Sequence, residues 1–223
     1  MTAGDLAPRL SLIVITDPDC GAGRSIVDVA RAALQAGAPS LQLRGKDQPA
    51  REQVELARAL LASTRPAGAL LWVNDRLDVA LAAGADGVHL GQDDVPLEAA
   101  RRIVPSGFRI GISAETPELA RAAERGGADY VGTGPVYATG SKADAGDAVG
   151  CERIREVARA VRIPVVGIGG ISASNAADII RAGATGVAVI SAVMRAPDPE
   201  AATRALLRAI TEPADEPRRI PRT

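Results

Sequence analysis

Lysine is almost absent from this 223-residue chain. It occurs only at Lys46 and Lys142, and arginine supplies every other one of the 26 basic residues. Ammonium is a compact, strongly hydrated point charge and guanidinium a planar fork, so the two are not interchangeable at an anion site. Aromatic residues are also scarce, at 2 %, with one Trp, two Tyr and one Phe. Ala, Val, Leu and Ile must therefore fill the core. Two cysteines, Cys20 and Cys151, show neither metal-ligand spacing nor a disulfide framework, and a reduced, cytoplasmic protein is the expectation. The single histidine, His89, sits between Val88 and Leu90 and reads as a packed structural residue. That leaves Ser113 without a partner for a Ser–His nucleophile, which counts against a serine hydrolase. No long apolar run is present, and residues 12–15 are far too few to span a membrane or form a signal core. A net charge of −1 argues against nucleic acid or an acidic membrane as partner.

What the chain does have is 47 % apolar residues and a repeated motif. A small-Gly-Ala triplet recurs at Ala36-Gly37-Ala38, Ala83-Gly84-Ala85, Gly126-Gly127-Ala128 and Ala182-Gly183-Ala184. Each copy follows an Ala-rich stretch with helical spacing and precedes an apolar run. Each glycine thus reads as the left-handed end of a helix leading into a strand. The four strands so marked are 40–43, 87–90, 130–132 and 186–190. Four more buried-strand candidates, 12–16, 70–73, 109–112 and 165–168, lie between them. Helical stretches 25–36, 49–64, 76–83, 97–104, 117–125, 151–161, 174–182 and 198–210 separate the strands. Eight strands alternating with eight helices predict a single α/β domain, a closed (β/α)8 TIM barrel. The barrel is expected over residues 1–211, with the Pro- and charge-rich 212–223 as a flexible tail.

Such a barrel carries its site at the C-terminal ends of the strands. That rule gathers Gln42, Arg44 and Lys46 from the second strand, and Asn74 and Asp75 from the third. His89 to Asp94 follow from the fourth, Ser113 from the fifth, and Thr139, Ser141 and Lys142 from a Gly-rich loop after the sixth. The seventh and eighth add Gly167-Ile168-Gly169-Gly170 and Ile190-Ser191. Glycines after the seventh strand, with a helix start after the eighth, allow backbone N–H groups to approach a phosphate. Asp75 and Asp94, on neighbouring strands beside basic residues, fit Mg²⁺ bridging protein to a diphosphate. The alternative for both aspartates is helix capping. Gly169-Gly170 lacks the G-x-G-x-x-G pattern of a dinucleotide site.

Taken together in order and spacing, these segments resemble the thiamine phosphate synthase family over about residues 12–209. The matching stretches include Val14-Ile15-Thr16-Asp17, Leu41 to Lys46, Asn74-Asp75-Arg76, Gly87 to Asp94, Gly111-Ile112-Ser113, Ala128 to Gly132, Gly134 to Tyr137 and Gly167 to Ile171. The resemblance implies a transferase of thiamine biosynthesis. It would condense 4-amino-2-methyl-5-hydroxymethylpyrimidine diphosphate with a thiazole phosphate to give thiamine phosphate and diphosphate, with CO₂ when the thiazole is carboxylated. It further implies that Gln42, Leu43, Arg44, Gly45, Lys46, Asn74, Ser113 and Lys142 bind the pyrimidine diphosphate, and that Asp75 and Asp94 hold Mg²⁺. Thr139, Gly140, Ser141, Gly170, Ile190 and Ser191 would bind the thiazole phosphate. Lys46, Lys142 and Ser113 are the candidates for catalysis. The partners expected are these small molecules, with homo-oligomerisation left open.

Three departures from the family pattern stand out. Gly45 stands where Glu is usual and should loosen that loop. Glu115 replaces a common His, and Gly140 replaces a Pro. Rival readings are a thiazole tautomerase-like relative, a sugar-phosphate isomerase, and a phosphate-ligand binding protein without catalysis.

Overall fold

The computed structural model describes residues 6–20, 23–46, 48–140 and 147–211. The expected tail, 212–223, lies outside them. Eight parallel strands close into a barrel in sequence order, with β8 paired to β1. They are β1 Leu12–Ile15, β2 Ser40–Leu43, β3 Leu70–Asn74, β4 Gly87–Leu90, β5 Arg109–Ser113, β6 Tyr130–Thr133, β7 Val165–Ile168 and β8 Gly186–Val189. The helices following β1 to β7 are α1 Ile26–Gln35, α2 Ala50–Ala67, α3 Leu77–Ala83, α4 Leu97–Ile103, α5 Pro117–Arg125, α6 Gly150–Ala160 and α7 Ala176–Arg181. After β8 the chain makes one short helix, α8 Ser191–Met194, before the long α9 Pro199–Thr211. Sequence periodicity located the long helix but not α8, which is barely a turn.

The repeated triplet performs the expected helix-to-strand reversal. Gly37, Gly84, Gly127 and Gly183 all adopt positive φ, between 75° and 106°, a region where a Cβ is strained. A second role was not apparent from the pattern. The residue two or so places on reaches across to the start of the preceding strand. Asp86 accepts from the Leu71 N–H at 2.8 Å, and Asp129 accepts from the Ile110 N–H at 2.7 Å. Thr185 does the same for the Val165 N–H at 3.4 Å. Three of the four copies thus pin β3, β5 and β7 from below.

Strand alternation divides the core into two layers. One face of each strand packs on the helices, through residues such as Leu41, Leu43, Leu71, Val73, Val88, Ile110 and Val187. The other face fills the barrel with Ile13, Ile15, Leu70, Trp72, Tyr130, Val166 and Ala188. The two rings meet edge to face, with centroids 5.0 Å apart. Glycines opposite make room for them. A Cβ at Gly87 would sit 2.6 Å from the Trp72 ring, and one at Gly111 would overlap the Tyr130 ring. Trp72 also donates to Ser40 Oγ at 3.2 Å, which satisfies its indole N–H in a dry interior.

Burial pushes the Tyr130 phenol well above the ordinary tyrosine value. A phenol retained in the fold but ionised in the unfolded chain contributes stability that is complete below the unfolded pKa of about 10 and falls as pH rises above it. A Tyr137→Phe chain, where Tyr130 is the sole tyrosine, should show no phenolate absorbance near that pH while folded. Phenolate should appear together with loss of helical circular dichroism. An ordinary phenolate titration with the fold intact would contradict this burial.

Candidate active site

The rim begins with β1 and β2. Thr16, buried just past β1, accepts the Arg44 N–H on Oγ1 at 2.9 Å and holds the chain where it leaves β2. Gln53, 2 % exposed on α2, donates to the carbonyls of both Gly45 and Gln48 at 2.9 Å. The loop carrying exposed Lys46 is thereby clamped. A buried amide thus binds the carbonyl of Gly45, the glycine that leaves the backbone more freedom between Arg44 and Lys46. Leu43, expected at the pyrimidine diphosphate, has its side chain fully buried between barrel and helices. Alternation turns it away from the rim.

At the end of β3, Asn74 is buried and Asp75 has φ 63°, a rare conformation for a residue with a side chain. The Arg76 N–H donates to the Asn74 carbonyl at 2.7 Å, closing a tight turn around Asp75, whose own N–H donates to the His89 carbonyl at 2.8 Å. Helix α3 starts with Arg76 as its cap residue, and the Arg76 side chain does not cap it. Arg76 grips Asp78 through two bonds of 2.9 and 2.6 Å, holding that carboxyl below the usual range. Asp94 likewise does not cap α4, whose cap residue is Pro96. Its Oδ2 accepts the Gly91 N–H at 2.6 Å, which folds the post-β4 loop back on itself. Backbone strain at Asp75 and loop closure at Asp94 place two carboxylates on adjacent strand ends.

On the opposite side lies a cavity of about 630 Å³. It brings together Ser113, Thr139, Gly140, Gly170, Ile190 and Ser191, all six expected at the substrates. Gln42 lines a smaller space joined to it through Ser113. Ser141 and Lys142 lie outside the described residues. The cavity wall is a backbone-to-backbone contact between the loops after β6 and β7. A Cβ at Gly134 would overlap the Ile168 carbonyl, and one at Gly169 would lie 2.6 Å from Pro135 Cα. At Gly170, φ is 63° and a Cβ would lie 2.7 Å from the Ala138 carbonyl. A side chain there would therefore strike the neighbouring loop. Asn175 fixes the post-β7 turn by accepting the Ser172 N–H at 2.8 Å and donating to the Gly170 carbonyl at 3.0 Å.

Two charged residues in this wall were not foreseen. Arg195 follows α8 and pairs with Asp17 at 3.3 Å and Asp19 at 3.2 Å, tying the post-β1 loop to the end of β8. Glu115 had been singled out only as a departure from the family.

The absence of a histidine partner for Ser113 is overturned. His89 Nε2 lies 3.0 Å from Ser113 Oγ, and Nδ1 lies 2.8 Å from the Tyr130 hydroxyl. Strand register explains the meeting. His89 pairs with Gly111, Gly111 with Tyr130, and Ser113 with Gly132. The glycines leave no side chain between imidazole, phenol and serine. Both ring nitrogens face hydroxyls, where a hydrolase triad sets a carboxylate on one of them.

Among the described residues, no group of three or more His, Cys, Asp or Glu is placed to hold a metal. The fold and rim define a (β/α)8 barrel with a glycine-walled cavity after β5 to β8 and two aspartates, Asp75 and Asp94, after β3 and β4. The sequence profile of the thiamine monophosphate synthase family matches residues 12–193, and the chain belongs to that family. It is 56 % identical to the thiamine-phosphate synthase of Roseiflexus castenholzii over 86 % of this chain and 85 % of that one. The Moorella thermoacetica thiamine-phosphate synthase is 51 % identical over 92 % and 97 %. Thiamine phosphate pyrophosphorylase from Pyrococcus furiosus superposes with a TM-score of 0.85 at 42 % identity, covering 94 % of this chain and all of that one.

The packing at Gly170 predicts a definite cost. Gly170→Ala combines left-handed strain with a backbone clash and should lower stability by about 1–3 kcal/mol. Urea unfolding measures it. Unchanged stability would mean that the two loops can part freely.

Proposed function

We propose that the chain is a thiamine-phosphate synthase, a transferase joining a pyrimidine diphosphate to a thiazole phosphate. The observation that carries this reading is a glycine-walled cavity at the strand ends of a barrel whose chain belongs to this family, with Asp75 and Asp94 following β3 and β4 on the same rim. Gly170, Thr139, Gly140, Ser141, Ile190 and Ser191 would hold the thiazole phosphate, mainly through backbone N–H groups. Gln42, Arg44, Gly45, Lys46, Asn74, Ser113 and Lys142 would hold the pyrimidine diphosphate, Gly45 through its backbone. Asp75 and Asp94 fit Mg²⁺, because their donors are all oxygen and only two carboxylates are offered. The remaining positions are then left to substrate phosphates and water, as this ion favours. When bound, the ion would neutralise charge on the diphosphate.

In this reading the methylene C–O bond breaks and its electron pair leaves with diphosphate. The thiazole nitrogen lone pair then forms the new C–N bond. Lys46 and Lys142 face charge that grows as the bond breaks, so they act more strongly in the transition state than in the ground state. The clamped loops align the two substrates and convert a bimolecular attack into a positioned one. Cys20 and Cys151 are free thiols, which suits a reducing cytoplasm. No described helix is long and apolar enough to cross a membrane.

The decisive assay supplies both substrates with and without Mg²⁺ and measures thiamine phosphate and diphosphate. Absence of both products with Mg²⁺ present would refute the reading. Asp75→Ala and Asp94→Ala should each suppress turnover while far-UV circular dichroism stays native. Full activity of Asp75→Ala in chelator would remove the metal role. Lys142→Ala should lower kcat by about 10²-fold, the scale for one preorganised donor. Lys142→Arg should recover only part, since the larger fork cannot occupy the same point. A wild-type kcat with a raised KM in Lys142→Ala would make this lysine a binding residue only.

A further inference from the structure

We propose that a hydrogen-bonded chain from Tyr130 through His89 sets the direction of the Ser113 hydroxyl, so that Ser113 donates its proton to an acceptor on the pyrimidine diphosphate. Tyr130 and His89 are then positioning residues for the reaction, and this role rests on the function proposed above.

The chain has two self-consistent directions. In one, Tyr130 donates to Nδ1 and the Nε2–H donates to Ser113, leaving the Ser113 proton for the cavity. In the other, every bond reverses and Ser113 gives its proton to Nε2. The contacts select the first. Among the described residues the Tyr130 hydroxyl has one hydrogen-bond partner, Nδ1 of His89. Tyr130 is itself 1 % exposed. Buried there, the phenol proton must find an acceptor, and Nδ1 lies 2.8 Å away. A proton on Nδ1 would leave the buried phenol O–H facing a donor, at the cost of an unsatisfied group. His89 therefore carries its proton on Nε2, 3.0 Å from Ser113 Oγ. Burial keeps the phenol protonated, so Tyr130 remains a donor.

Packing holds the geometry. The imidazole and phenol rings lie 5.4 Å apart, tilted 34°. A Cβ at Gly132 would come within 3.0 Å of His89 Cε1, so the ring fits only against glycine. The Gln92 side chain donates to the Ser113 carbonyl at 2.5 Å, steadying the serine backbone. Ser113 itself borders both the smaller space and the large cavity, which is where a directed hydroxyl can meet substrate.

The sole histidine makes the test direct. In the full chain labelled with ¹⁵N-histidine, long-range ¹H–¹⁵N correlation at neutral pH reports one imidazole without assignment. The expected pattern is the neutral Nε2–H tautomer. An Nδ1–H or doubly protonated ring would overturn the proposal. Tyr130→Phe deletes the donor to Nδ1 and should reduce the Nε2–H fraction. Its kcat should fall about tenfold, the worth of one misdirected hydrogen bond, with KM for the pyrimidine diphosphate nearly unchanged. His89→Leu should lose as much, and His89→Gln, which keeps an N–H donor, should recover part. Unchanged kcat in Tyr130→Phe and His89→Leu would overturn the positioning role. The tautomer is read without turnover. An inactive wild-type chain with an Nε2–H ring would therefore refute the proposed function and leave the relay standing. If Tyr130→Phe fails to fold, the wild-type spectrum still decides the direction.

Discussion

The fixed width of the closed barrel is the constraint on which the rest depends. Eight parallel strands in sequence order leave an interior that must be filled by inward-facing side chains, without voids. A chain with few rings meets this by placing Trp72 and Tyr130 edge to face and removing the side chains opposite, at Gly87 and Gly111. Adding a methyl group at either glycine would overfill the layer. The same fit places the Tyr130 hydroxyl against His89. Core packing and site chemistry therefore share one residue.

A second close fit builds the cavity. The loops after β6 and β7 touch backbone to backbone because Gly134, Gly169 and Gly170 carry no Cβ. Catalysis by positioned dipoles needs donors that do not reorganise as charge develops. Backbone groups locked by such contacts meet that need better than mobile side chains. On the other half of the rim, the turn at Asp75 and the folded-back loop at Asp94 do comparable work for carboxylates. The two halves meet at Ser113.

The loops themselves are held from outside the rim. Gln53 ties the post-β2 loop, Asn175 the post-β7 turn and Thr16 the exit of β2. Arg195 joins the first and last loops through Asp17 and Asp19. Each satisfies polar groups that would otherwise go unpaired, and each leaves the rim residues fewer positions to adopt. Supporting residues of this kind carry no local sequence signal. A glutamine inside a helix looks like any surface polar residue until the fold buries it.

The sequence by itself determined the architecture and most of the rim. Short apolar runs, helical spacing and the glycine triplets specify eight strand–helix units, since the two periodicities and the left-handed helix ends are local properties. Ser113, Thr139, Gly140, Gly170, Ile190 and Ser191 could be assigned to one face because strand ends in a barrel share a rim. Only the tertiary structure decided which neighbours meet across strands. The approach of His89 to Ser113 and Tyr130 depends on register and on Gly111 and Gly132 between them. The burial of Leu43 and the hydrogen bond to the Gly45 carbonyl depend on packing from α2 and its neighbours. These are contacts between residues distant in sequence, and a pattern read along the chain does not measure the distance across it.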